Sequence, residues 1–250
     1  MIEKTYRIPG APKLALLGDF HDGDPGPILA AVERKRPDVI CIPGDIVNSQ
    51  LPEGDSILES QINVLRFLRG CAGIAPTFFS YGNHEFFLPD GDVETIRALG
   101  VTILDNEWRA FRGIHIGGVT SHYVLKRRAF AAEHPSGERF SRSQYYSAWR
   151  DAGRLNLEWL SPVPEGFTIL LCHHPEYFPL LPPVNLVLSG HAHGGQWRFF
   201  NHGCYAPGQG VWPRWTRGVY EGHMVVTAGL TNNTRIPRLN NPTEIVYVQG

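Results

Sequence analysis

Short apolar runs, each followed by a polar cluster, alternate with amphipathic stretches through the first hundred residues. Residues 13–17 form an apolar run that stops at Gly18-Asp19-Phe20-His21, the pattern of a strand passing into a loop. Residues 28–35 repeat at helical spacing, and Pro37 closes that helix. Residues 38–42 predict a second buried strand, ending in Gly44-Asp45-Ile46-Val47-Asn48. Over 56–68, Ile57, Leu58, Ile62, Leu65 and Leu68 mark the apolar face of an amphipathic helix. The run 77–81 is a third strand, and it stops at Gly82-Asn83-His84-Glu85. This β-α-β-α-β order predicts an α/β fold with a largely parallel sheet covered by helices.

Residues 93–99 read as a short helix. The runs 101–104, 108–111 and 114–119 read as closely spaced strands, either a second sheet or an antiparallel extension of the first. Segment 121–142 breaks the rhythm, being polar, with Lys126, Arg127, Arg128, Arg139 and Arg142 against Glu133 and Glu138. It reads as an excursion from the core, helical in part, and a candidate lid over a substrate. Helical character returns over 144–160, with Tyr145, Trp149 and Trp159 as aromatic anchors. Two more strands end in histidines: 167–171 leads into Cys172-His173-His174-Pro175, and 185–188 into Ser189-Gly190-His191-Ala192-His193-Gly194-Gly195-Gln196. Strands at 224–227 and 244–248 close the fold, and no repeat or linker divides the chain, so 1–250 reads as one domain.

Composition narrows the class. With 42% hydrophobic and 19% charged residues, the chain can bury a sizeable core. Its 23 Lys+Arg against 24 Asp+Glu give no global attraction to nucleic acid or to anionic membrane, which leaves room only for local patches. No nucleic-acid partner is expected. Residues 1–10 carry no apolar signal region, and no run approaches the roughly 18 apolar residues of a membrane span. The expectation is a cytoplasmic chain with no transmembrane segment. Cys41, Cys71, Cys172 and Cys204 form no C-x-x-C pair, and Cys41 and Cys172 lie inside strand-like runs, so buried free thiols are expected.

The polar clusters carry the chemistry. Five strands end in Asp19-x-His21, Asp45, Asn83-His84, His173 and His191-x-His193. On extended backbone, residues two apart face the same side, so each D-x-H or H-x-H pair can reach one ion. Oxygen and imidazole donors without thiolate suit manganese, iron or zinc. Seven such positions are too many for one ion and right for a pair sharing a bridge, which the carboxylate of Asp45 can supply. Singly, each cluster has a plainer reading as a helix cap, a turn or a core histidine. Five strand ends in this order, each with a metal-ligand type, do not arise together by accident.

Those motifs, Asp19-Phe20-His21, Gly44-Asp45, Gly82-Asn83-His84-Glu85, His173 and Gly190-His191-Ala192-His193, resemble the signature of the calcineurin-like metallophosphoesterases over about residues 13–196. The continuation Gly194-Gly195-Gln196 resembles a branch of small bacterial phosphoesterases, some acting on lipid-linked phosphates. The resemblance implies a four-layer sandwich, two packed mixed β-sheets flanked by helices, with the site at the strand ends. It implies that Asp19, His21 and His193 hold one metal, that Asn83, His173 and His191 complete a second site, and that Asp45 bridges them. His84 matches the non-ligand catalytic histidine beside the leaving oxygen. The implied reaction is phosphodiester hydrolysis by attack of a metal-bridging hydroxide.

One departure is Asn48, where the family usually has an acidic residue. If that position orients a histidine ligand, the amide supplies no charge and the first site should bind its metal more weakly. His174 is expected to point away from the ions, as a structural or rim residue. After Gln196, Arg198, Arg214, Arg217, Arg235 and Arg238 accompany Trp197, Phe199, Phe200, Trp212 and Trp215. Such a surface could grip a phosphate ester on an apolar or ring-bearing group, a lipid head group among them. A phosphomonoesterase, a nucleotide or lipid pyrophosphatase, and a non-catalytic scaffold of the same fold stay open as alternatives.

Overall fold

In the computed structural model, residues 1–48, 56–133, 157–232 and 236–250 are described. The chain begins β1 (Ile2–Arg7), β2 (Leu14–Leu16), α1 (Pro25–Lys35), β3 (Val39–Ile42), α2 (Ile62–Ile74) and β4 (Thr77–Ser80). It continues through α3 (Asp90–Ala98), β5 (Val101–Leu104), β6 (Glu107–Phe111), β7 (Ile114–Val119), α4 (His122–Glu133), β8 (Phe167–Cys172) and β9 (Leu186–Ser189). Four two-residue strands follow, β10 (Arg198–Phe199), β11 (His202–Gly203), β12 (Tyr205–Ala206) and β13 (Gly210–Val211). Last come β14 (Gly218–Tyr220), β15 (Met224–Val226) and β16 (Glu244–Gln249).

Strand parity builds the layers. Leu14 and Leu16 of β2, Val39 and Cys41 of β3, and Phe78 of β4 face one way, while Ala15, Ile40, Ile42 and Phe79 face the other. The first set meets Ile169, Leu171, Leu186, Leu188 and Val225 of a second sheet. The other set meets Val32, Phe67, Leu68 and Ile96 of α1, α2 and α3. Both faces of these strands are therefore apolar, which is why they read as continuous hydrophobic runs and not as alternation.

The first sheet has the order β1-β16-β2-β3-β4-β5, and the second β14-β15-β9-β8-β7-β6. Both are mixed: β2, β3, β4 and β5 run parallel while β16 is antiparallel to β2, and β7, β8, β9 and β15 run parallel between antiparallel edges. The chain thus folds as two packed mixed sheets with helices. Among the described residues, the outer face of the second sheet is covered by short 3₁₀ turns and loops that contribute Leu160, Tyr177 and Trp215.

Two local expectations change. Helix α2 starts at Ile62, because the Asp92 carboxylate accepts from the Ile57 and Leu58 N–H groups at 2.7 and 3.3 Å and holds 57–58 in a turn. Ile57 and Leu58 still join the core, but from that turn. The amino-terminal residues also form a strand, β1, parallel to β16 and beyond the elements the pattern predicts. Helix α4 begins the 121–142 excursion, and its basic residues are engaged: Arg127 donates to Leu88 O at 3.1 Å and Arg128 pairs with Asp105 at 2.7 Å. Residues 134–142, and 144–156 of the next expected helix, lie outside the described residues. The cysteines are free, with Cys41, Cys71 and Cys172 buried. No described helix is long and apolar enough to cross a membrane.

Candidate metal centre

The loops leaving β2 and β3 stay zipped together past the strand ends. Asp19 N donates to Gly44 O at 3.2 Å, His21 N to Asp45 O at 3.2 Å, and Asp22 N to Ile46 O at 3.1 Å. Here the geometry departs from the extended pairs expected from spacing. Asp19, His21, Asp45, His191 and His193 have φ of 56, 45, 56, 64 and 46°, all left-handed. Each costs about 1–3 kcal/mol for a residue with a Cβ, a pattern that collects at functional sites. The side chains converge because the turns curl inward, not because alternate residues share a strand face. Space is also tight: a Cβ on Gly82 would sit 2.3 Å from Asp45 Oδ1, and one on Gly190 would sit 2.6 Å from Asp19 Oδ2.

Asp45 stands at the centre. Its Oδ1 accepts from His84 N at 2.8 Å. Its Oδ2 lies 3.0 Å from His173 Nε2, 3.8 Å from His84 Nε2 and 3.9 Å from His21 Nε2. Asn83 Oδ1 reaches the same His173 Nε2 at 3.2 Å. On the other side, His193 Nε2 is 3.7 Å from Asp19 Oδ1, which also accepts from His191 N at 3.0 Å. Asp19, His21 and His193 offer ligand atoms within 4.8 Å of one another, and so do Asp45, His173 and His191. All seven predicted positions are therefore brought together with His84, which at 18% side-chain exposure is the one nearest solvent.

The electrostatics suit cations. Burial drives His21, His191 and His193 well below the usual imidazole range, so each presents a neutral ring with a lone pair. Burial raises Asp19 to about 6, with Asp45 adding repulsion and His173 opposing. Burial also works against ionised Asp45, but His173, His84 and His21 overcome it and hold the carboxyl well below its ordinary value. His173 shows the converse. Burial disfavours its charge, yet the neighbouring carboxylates, Asp45 foremost, raise it to about 9. A proton on His173 thus does what a cation would do between these anions. Asp19 Oδ2 and His191 Nε2 are buried without a hydrogen-bond partner, donor-poor atoms of the kind an ion satisfies.

Several supporting residues act through contacts that exist only in the folded chain. The buried carboxylate of Glu85 accepts from Gly82 N at 2.7 Å, Ile46 N at 2.8 Å, Asp45 N at 2.9 Å and Val47 N at 3.4 Å. Burial and then the charge of Asp45 push Glu85 up to about 7. Glu176 Oε1 is 3.7 Å from His191 Nε2, and Arg238 donates to His193 Nδ1 at 3.1 Å. Asn48 acts on the backbone of a predicted histidine ligand. The ring nitrogen Nδ1 of His21 meets Val47 O at 3.1 Å, while the Asn48 amide donates to the backbone carbonyl of His21 at 3.1 Å and so braces the loop. His174 is no rim residue: it is buried, bonded through Nε2 to Ser121 Oγ at 2.8 Å, and its ring centroid lies 4.3 Å from that of His191.

The chain is similar to several known proteins. The sequence model of the calcineurin-like phosphoesterases matches residues 12–195. A protein of Helicobacter pylori (strain J99) described as an uncharacterized metallophosphoesterase is 30% identical over 194 residues, covering 74% of this chain and 45% of its own. A transmembrane protein with metallophosphoesterase domain from Danio rerio is 29% identical over 215 residues, covering 78% of this chain and 43% of its own. The chain thus spans less than half the length of these relatives. Among solved structures, a dimetal phosphatase from Danio rerio aligns over 88% of both chains at 11% identity and a TM-score of 0.46.

Proposed function

The chain belongs to the calcineurin-like phosphoesterase family, and on that premise we propose that it hydrolyses phosphate esters, phosphodiesters foremost, at a pair of metal ions. The observation that carries the reading is Asp45, whose carboxylate joins the Asp45–His173–His191 group to His21 of the Asp19–His21–His193 group. Asp19, His21 and His193 would hold one ion, Asn83, His173 and His191 the other, and Asp45 both. Manganese, iron or zinc fits these donors. Such a pair acidifies water and polarises phosphoryl oxygens.

The residues of the chain do the rest. Asp45, anchored by the backbone of His84 and by the Glu85-held loop, fixes the spacing of the two groups. His84 lies at the open side, its Nε2 3.8 Å from Asp45 Oδ2, where a proton on that nitrogen can be given to a departing alkoxide. The neutral rings of His21 and His191 keep their lone pairs without competition from protons. A monoesterase or a nucleotide or lipid pyrophosphatase would use the same side chains, so the assay must carry several substrates.

Elemental analysis beside turnover of aryl phosphodiesters and monoesters tests the reading. His84→Ala should retain both metals and lose roughly 10²–10⁴-fold in turnover. Asp45→Ala should lose metal and activity together. Two ions and full hydrolysis in Asp45→Ala would sink the proposal. Faster cleavage of monoesters than of diesters would reassign the substrate class and leave the metal site standing.

A further inference from the structure

Beyond the second histidine pair, the molecule shows solvent an unusual amount of apolar surface. Nine of the twelve exposed large hydrophobic residues among the described residues fall between 197 and 239. They are connected. The β10–β11 hairpin carries Phe199 and Phe200 at its tip, where Phe200 is 100% exposed. Trp197, at the base of the hairpin, bridges to Leu239. Cys204 N donates to Trp197 O and Trp212 N to Cys204 O, so Trp212, 71% exposed, stands beside the same hairpin. Single exposed apolar residues need no explanation, but a joined patch marks a surface that something covers.

The charge of this face says what covers it. Residues 197–240 hold five arginines and one acidic residue, Glu221, in a chain whose formal net charge is −1. Beneath the hairpin tip, a cavity of about 670 Å³ is lined by Lys4, Arg198 and Arg217 beside Phe199 and Phe200. Arg217 is bridged to Glu244 at 2.7 Å and Arg214 to Glu221 at 3.3 Å. Arg198 instead donates to neutral acceptors, Gly194 O at 2.7 Å and Thr216 Oγ1 at 2.9 Å, and Lys4 is exposed. The excess over the patch is therefore cationic. With Arg198 buried beneath it, Lys4 exposed beside it and Arg214 and Arg217 paired, the projecting aromatic tip stands over a net positive charge, an arrangement that partitions into an anionic head-group layer.

We propose that this face docks on the surface of an anionic lipid bilayer, with Phe199, Phe200 and Trp212 entering the head-group layer. The same segment is tied to the metal centre. Asn241 Nδ2 donates to His193 O at 2.7 Å, and Arg238 to His193 Nδ1 at 3.1 Å, so docking would hold the centre beside the membrane. The proposal concerns binding and stands or falls apart from hydrolysis.

Co-sedimentation of the full chain with phosphatidylcholine vesicles, with and without phosphatidylglycerol, tests it. Binding is expected to the mixed vesicles, to weaken with added salt, and to be absent from phosphatidylcholine alone. A Phe199→Ser/Phe200→Ser variant should partition about ten-fold or more weakly, with unchanged circular dichroism. Lys4→Glu should lower partitioning at least about five-fold. No sedimentation with either vesicle overturns the proposal, and so does binding that the double variant retains in full. A dimer that dissolves on Phe200→Ser, without vesicle binding, would assign the face to a second copy of the chain instead.

Discussion

Glu85 decides whether the centre can keep its shape. Four backbone N–H groups, of Asp45, Ile46, Val47 and Gly82, converge on its carboxylate between 2.7 and 3.4 Å. It thereby pins the loop bearing Asp45 to the loop bearing Asn83 and His84. Glu85→Ala would leave these donors buried without acceptors, at about 1–3 kcal/mol for each that water cannot reach. We expect a loss of at least about 3 kcal/mol in urea unfolding, with metal content and turnover falling together. Glu85→Gln should fall between, since the amide can face only one pair of donors with oxygen and turns N–H groups on the other. Wild-type melting and metal content in Glu85→Ala would remove it from the site's support. The reading of Gly82-Asn83-His84-Glu85 from sequence reaches the donors of this tetrapeptide but not the job of its last residue. That job depends on amides 38 to 40 residues away. Glu176, and the contact of Arg238 with His193, were hidden for the same reason, because their partners are close only after folding.

Elements show a similar division between local and distant information. β2, β3, β4, β8 and β9 were legible because each is a short apolar run, buried on both faces, that ends in polar residues. α2 was displaced because Asp92, not helical hydrogen bonding, satisfies the amides of Ile57 and Leu58. β1 was illegible: its burial pattern is mostly exposed, and among the described residues its only sheet partner is β16, more than two hundred residues on. It nonetheless pairs with β16 in parallel from Ile2↔Glu244 to Arg7↔Gln249. Removing residues 1–7 would open the backbone edge of β16, whose Ile245, Val246, Tyr247 and Val248 are buried. Open apolar edges recruit other strands. The truncated chain should unfold at lower temperature and self-associate in sedimentation velocity. A monomer with unchanged melting would show that β1 is dispensable to the sheet.

At the scale of the molecule, the centre lies on the seam between the two sheets. Asp19, His21, Asp45, Asn83 and His84 follow β2, β3 and β4 of the first sheet, while His173, His191 and His193 come from β8 and β9 of the second. The sheets touch through Leu14, Leu16, Val39, Cys41, Leu171 and Leu188, an interface that orders the strands but does not discharge the polar atoms at their ends. Asp19 and Asp45, both at the ends of first-sheet strands, repel one another at that seam, which burial and like charge register in the raised Asp19. Ions bound there would turn this repulsion into a tie between sheets, and they would stabilise only the folded chain, since the unfolded one scatters the ligands. Free metal at a hundred times its dissociation constant adds about 2.7 kcal/mol. For a chain of this size that corresponds to a melting temperature higher by about 5–11 °C. Thermal unfolding with manganese, then with a chelator, should show this difference, and Asp45→Ala should melt alike in both. Equal melting of the wild-type chain with and without metal would mean that the seam holds without ions, and the reading of the centre as a metal site would fall with it.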